Sequence, residues 1–255
     1  MSWLIGIAVA GVVVTALRST WSPCSLSMLS SMTPVSERAR GHRWGVTVSW
    51  YVLGAVVGGA TIGALLAIPA AAVGVLDPSV EVALAVVAAV GLVAAAADLE
   101  VLRLPWHGRQ VDEEWFDLFR PWVYASGFGW QVGTGVATYL TTAGLYFSAA
   151  AVVMTGEPLV AVAAGVGFGF IRGLMALPGG RLTTFESMTR LHAQLDAWAD
   201  PSRRLTAASM TLLATAAAVV AGLAVALVAL GVAAVVVAVG RRALGGRPRP
   251  RLRIS

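Results

Sequence analysis

The sequence predicts an all-α, polytopic membrane protein, and three observations carry that reading. Of 255 residues, 58% are hydrophobic and only 12% are charged, against roughly 25% charged in an average soluble domain. The apolar residues gather into runs long enough for spanning helices of ~20 residues, separated by short segments rich in Pro, Gly and Arg. None of the runs alternates with period two, which argues against a transmembrane barrel. The lipid bilayer is therefore the partner the composition implies. All 18 basic residues are Arg, and this, with the abundance of Ala, Val and Gly, points to a high-GC bacterial source and its inner (plasma) membrane. The net charge of +5 is confined to particular loops and the tail, a topology signal rather than a nucleic-acid footprint.

Taken in order, the apolar runs cover residues 3–17, 44–68, 80–102, 122–154, 159–177 and 205–240, about six spans. The first lacks a basic flank before it, since its first charge is Arg18, and reads as a retained membrane segment rather than a cleaved signal. The 44–68 run ends at Pro69, which opens a loop over 69–79. Within 109–122, Trp115, Phe116, Phe119 and Trp122 mix with acidic residues, and after Thr183-x-x-Glu186 the residues Phe185, Met188, Leu191, Leu195 and Trp198 recur at helical spacing. Both segments read as amphipathic helices on the membrane surface. The last run would be ~50 Å long as one helix. It forms either one tilted helix, the reading preferred because no Pro or Asn-Gly marks a turn, or a pair turning near Gly222.

Arginine counts orient the spans. The loops with Arg38, Arg40 and Arg43, with Arg103, Arg109 and Arg120, and with Arg181, Arg190, Arg203 and Arg204 fall inside, while the Arg-free loops fall outside. The N-terminus is then extracytoplasmic. The basic tail, with Arg241, Arg242, Arg247, Arg249, Arg251 and Arg253, resists a six-span scheme that would leave it outside. The organisation expected is a first membrane unit over 1–102, an amphipathic linker over 103–121, a second unit over 122–240 containing the surface helix 183–200, and a tail over 241–255.

The most informative stretch is Trp21-Ser-Pro-Cys-Ser-Leu26. Pro23 cannot continue a helix begun upstream, but it suits the first position of a new one, with Ser22 as its N-cap and Cys24 in its first turn. The first span is therefore broken. A half-helix N-terminus favours an anion or a thiolate, so Cys24 is the candidate reactive group and the adjacent Arg18 a charge beside it. The alternative is a kinked span with an inert buried thiol. Cys24, Met28 and Met32 form an i, i+4, i+8 stripe of soft sulfur atoms suited to Cu(I), or simply packing filler. Arg172 reads as a residue reaching for the inside interface. Gln131, Thr134, Thr138, Thr141 and Thr142 offer a polar path in the fourth span, or helix-packing hydroxyls, and Gly127-x-Gly129 reads as part of a break there. His42, His107 and His192 lack ligand spacing, and no motif names a cofactor.

The Trp-Ser-Pro-Cys frame, the Arg-bearing loop after it and the Gly-rich run around Gly54, Gly58 and Gly59 resemble the CcdA/DsbD transmembrane thiol-reductant transporters of cytochrome c biogenesis, within the lysine-exporter-like superfamily. That resemblance implies two inverted three-helix repeats with broken first helices, and a thiol partner protein. A faint internal copy agrees with it: Trp21 and Trp130, and Gly58 and Gly167, recur at one offset of 109 residues. The family's second cysteine is missing, the corresponding region being Gln131–Gly135. Exchange needs a second thiol to release the first, so the chain cannot run that relay alone. The functions expected are a transporter-like or redox-accessory protein working at the breaks through Cys24, Arg18, Ser22, Pro23, Gln131 and Thr134. The alternatives are a non-catalytic membrane assembly partner and a copper or small-solute transporter.

Overall fold

A computed structural model describes residues 2–101, 114–136 and 142–244. Among these residues all regular structure is helical. Five helices are long and apolar enough to cross a membrane, and Gly144–Met154 and Ala226–Ala238 are shorter apolar helices.

The first span is broken where the sequence places the break. Helix α1 (Ser2–Arg18) passes into a 3-10 turn, Ser19–Trp21, and α2 (Pro23–Ser31) restarts with Pro23 in its first turn. The Ser22 hydroxyl accepts a hydrogen bond from the Ser25 amide at 3.2 Å, so the new helix is capped by its own N-cap side chain. The short α3 (Pro34–Ala39) starts with a reciprocal cap between Thr33 and Ser36.

Helix α4 (Trp44–Leu76) overruns the expected stop at Pro69, which lies inside it. A proline removes one backbone donor, a loss that helices in apolar surroundings tolerate, and no polar residue follows before Asp77. The loop thus shrinks to Asp77–Ser79, where Asp77 adopts a left-handed conformation and Ser79 caps α5 (Val80–Asp98).

After the short α6 (Trp115–Leu118), the fourth span is in two pieces, α7 (Pro121–Thr134) and α8 (Gly144–Met154). The Gly127–Gly129 pair lies within α7, and the helix ends instead at Gly135, which has φ +72°. Of the expected amphipathic segment 109–122, residues 109–113 lie outside the described residues, as do Arg103, His107, Thr138 and Thr141.

Helix α9 (Pro158–Leu174) leads through a 3-10 turn, Leu177–Arg181, to α10 (Phe185–Ala221). The surface helix expected over 183–200 is continuous with the last span through Pro201, and its capping pair is Thr184 with Ser187 rather than Thr183 with Glu186. The preferred single helix over 205–240 is overturned. Gly222, at φ +96°, ends α10, and α11 (Leu223–Leu244) follows. Only glycine adopts that conformation without a Cβ penalty, and neither a proline nor an Asn-Gly pair is needed to mark it.

Two packing groups build the bundle. Helix α4 lies along both α7 and α9, while α5 packs against α10 and α11, and α1 bridges the groups through α8, α9 and α10. The α4 contacts are backbone to backbone. A Cβ on Gly58 would fall on the Trp130 carbonyl oxygen, one on Gly133 on that of Ala55, and one on Gly59 on that of Gly165. Small residues at four-residue spacing allow such approach between helices in lipid. The offset linking Gly58 to Gly167 is not mirrored in packing, since a Cβ on Gly167 meets nothing within 4 Å.

Gly133→Leu is accordingly expected to cost about 3 kcal/mol or more through overpacking against backbone that cannot move aside, whereas Gly167→Ala should be neutral. Thermal melting of the two variants in detergent checks this, with a large drop in midpoint expected for Gly133→Leu alone.

Candidate functional site

The two helix breaks meet at Arg172. This residue of α9 is 3% exposed, which corrects the expectation that it reaches for the interface. Its Nη1 donates to the carbonyl oxygen of Val132, in the last turn of α7, at 2.6 Å. Its Nη2 lies 3.3 Å from the hydroxyls of both Ser22, the N-cap of α2, and Ser25. The guanidinium stands 5.7 Å from the Phe168 ring, one turn back on α9, and its Nε has no hydrogen-bond partner among the described residues. A helix end in a water-poor interior must find partners for its leftover carbonyls. One planar side chain with several donors serves the end of one half-helix and the cap of another.

Around this junction the α2 stripe is buried. Cys24, Met28 and Met32 are each 1% exposed and share a cluster with Tyr51, Tyr124, Phe128 and Val132. Four α7 residues, Tyr124, Ala125, Phe128 and Val132, lie in this cluster; near the last of them Gln131 is half-buried and Thr134 buried. The Thr134 hydroxyl donates to the Gln131 carbonyl at 2.8 Å. Thr134 also lines an apolar cavity of about 470 Å³ with Val12, Phe168 and Ser148.

Arg18 reaches a different neighbourhood. Its Nη1 donates to the Ser202 hydroxyl of α10 at 3.2 Å, and its guanidinium lies 5.7 Å from the Trp21 ring. Trp21 in turn donates to the Leu195 carbonyl at 2.9 Å, and Ser30 bonds with His192 at 2.8 Å. The polar half of α10 is thereby docked over the first break.

Two buried carboxylates went unnoticed in the sequence. Asp98, at the end of α5, accepts from the Thr142 hydroxyl at 2.6 Å and from the Ala143 amide at 2.7 Å. It therefore caps the restart of the fourth span, where the helix dipole favours a negative charge. Glu37 is fully buried and accepts from Thr47 at 2.7 Å, from Tyr124 at 2.9 and 3.1 Å, and from Arg40 at 3.2 Å. It ties α3 to α4 and α7. Asp98 carried a signal, since an ionisable residue closing an otherwise apolar run is a site candidate by default. Glu37 stood among arginines and read as loop.

The chain is similar to three curated proteins, each a methylamine utilization protein MauF. The MauF of Paracoccus versutus is 33% identical over 150 residues, 58% of this chain and 55% of the relative. That of Paracoccus denitrificans is 32% identical over 160 residues, 60% and 56%, and that of Methylorubrum extorquens 30% identical over 158 residues, 60% and 54%. The chain thus spans about half the length of these relatives. No protein-family model matches it, and no solved structure matches it. These findings overturn the resemblance to the CcdA/DsbD thiol-reductant transporters. The Trp-Ser-Pro-Cys frame that carried it is a few residues long and follows from breaking a helix with a capped proline, whereas the MauF similarity runs over 150 residues or more.

Arg172→Ala is expected to destabilise the purified protein by about 3 kcal/mol, because a buried carbonyl and a cap hydroxyl both lose a charged donor. Arg172→Lys should recover little of it, having no planar fork to reach both breaks. Cys24, being 1% exposed, should react slowly with a maleimide in native membranes and at least tenfold faster in Arg172→Ala. Thermal melting and timed labelling measure the two effects.

Proposed function

We propose that this chain is a multi-pass inner-membrane protein that serves methylamine utilization as an accessory component. The observation that carries the reading is the 33% identity over 150 residues to a methylamine utilization protein. The site chemistry supports an accessory rather than a catalytic part. Asp98, Glu37 and the two terminal nitrogens of Arg172 are committed to helix ends, caps and neighbouring side chains. In this reading the working region is the junction of the two breaks. Ser22, Pro23 and Cys24 form one side of it, Gln131 and Thr134 the other, and Arg18 ties it to α10.

The two-repeat arrangement belongs to the same proposal, with units over 1–102 and 122–240 joined by 103–121. It is supported by like packing on like: α1 against α8, α4 along α9, α5 along α10. The N-terminus and the loop Asp77–Ser79 are placed outside, and the Arg-bearing loops inside. The break at Gly222 accommodates the basic tail. Helix α10 pairs with α5 from Arg203, beside Glu100, upward. Ala221, 18 residues further on, is then level with the start of the 19-residue α5. Because α11 also packs on α5, the chain must turn back, which carries Arg241 and Arg242 inside in line with the positive-inside rule.

Deleting the gene in its host should abolish growth with methylamine as sole nitrogen source and leave growth on ammonium unchanged; equal growth on both would contradict the role. Independently, a reporter fused after Leu244 should read inside and one inserted at Asp77–Ser79 outside. A tail that reads outside would rule out the returning α11.

A further inference from the structure

We propose that the inside end of α4 is a binding site for one anionic phospholipid, the headgroup phosphate seated in a basic cleft and an acyl chain in the groove below it. The cleft, about 470 Å³, is lined by Arg38, His42, Arg43, Trp44, Gly180 and Thr183, among others. Directly beside it an apolar groove of about 340 Å³ runs along Trp44, Val48, Ser49, Val52 and Leu177. The two share Trp44 and Gly45, so the basic and apolar parts form one continuous, amphipathic site. Neither part belongs to the junction at Arg172.

Three features fit a lipid phosphate. Arg38 and Arg43 are exposed and form no ion pair among the described residues, whereas Arg40 between them is committed to Glu37. The N-terminus of the 33-residue α4 opens at Trp44 and Gly45, which line the cleft, with no side chain capping it, leaving amide donors and the positive end of the dipole there. The wall common to both parts is rigid. The Trp44 indole donates to the Met32 carbonyl at 2.9 Å, and its ring fills the space a Cβ on Gly180 would take. Basic pockets between spans on the inside face select anionic headgroups, and an indole belongs at that depth. A free phosphate would use the cleft, but only a lipid uses the groove as well. The inference rests on the membrane placement proposed above and is independent of the methylamine role.

The test uses the full chain, extracted in a neutral maltoside detergent and stripped of lipid; extraction that requires detergent reports the membrane placement separately. Binding is read by native mass spectrometry and melting midpoint, with phosphatidylglycerol, phosphatidylcholine of the same acyl chains, and inorganic phosphate as probes. Phosphatidylglycerol should bind one per chain and raise the midpoint, well above phosphatidylcholine or phosphate alone. Arg38→Ala with Arg43→Ala should weaken it on the order of thirty-fold, the size two arginines contribute at an anionic surface. Ser49→Trp, which fills the groove, should weaken phosphatidylglycerol without altering the response to phosphate, and Arg204→Ala, on the same face outside the cleft, should change nothing. Equal binding of both lipids would overturn the proposal, as would phosphate matching phosphatidylglycerol or a double variant that binds as the native chain does. Should the double variant not fold, the lipid comparison on the native chain and Ser49→Trp decide it.

Discussion

A helix interrupted in an apolar interior leaves carbonyls and amides without partners, and apolar surroundings supply none. Among the described residues two interruptions lie in the interior at one place, one after Trp21 and one after Thr134, and Arg172 serves both. Its guanidinium donates to the Val132 carbonyl where α7 runs out, and to the Ser22 hydroxyl that caps α2 and the neighbouring Ser25 hydroxyl where the first helix restarts. Burying that charge is costly, and the cost is offset only because several donors are used at once in a fixed plane. The other restart, at α8, is held by the opposite charge: Asp98 accepts from the Thr142 hydroxyl and the Ala143 amide. The cation at the end of α7 and the anion at the start of α8 complement the dipoles they meet, whereas at the start of α2 the guanidinium is met by the Ser22 and Ser25 hydroxyls.

The junction exists because three helices approach with almost no side chain between them. Gly54 and Gly58 of α4 lie against α7, and Gly59 lies against Gly165 of α9. With α7 and α9 drawn onto one helix, an arginine in the last turn of α9 reaches the last turn of α7. A bulkier stripe would separate them by more than the side chain spans. Packing thus determines which polar groups can meet, and the polar groups make the broken helices tolerable. The same α4 presents its uncapped start beside Arg38 and Arg43, so one helix organises both the interior junction and the basic cleft.

Several elements were legible in the residues. Ser22-Pro23 dictates a stop and a capped restart, and both occur where the side-chain chemistry demands. The apolar runs gave the long helices. Pro69 misled, because in lipid-like surroundings the absence of any alternative partner keeps a helix going past one missing donor. Gly222 was ambiguous because glycine is common in membrane helices, and only its left-handed backbone distinguishes a turn from a packing position. The roles of Arg172, Asp98 and Glu37 were not legible: each depends on a partner 40 or more positions away in sequence, Val132, Thr142 and Tyr124 respectively. The Trp-Ser-Pro-Cys frame misled for the opposite reason, a short local motif carrying a physical meaning, the helix break, shared by unrelated proteins.

Backbone hydrogen exchange in lipid nanodiscs tests the shared anchor most directly, comparing the native chain with Arg172→Met. If one guanidinium holds both breaks, amides around residues 22–26 and 132–136 lose protection together, while those of α5 and the facing part of α10 are unchanged. Loss at one break alone, or at neither, would contradict the account.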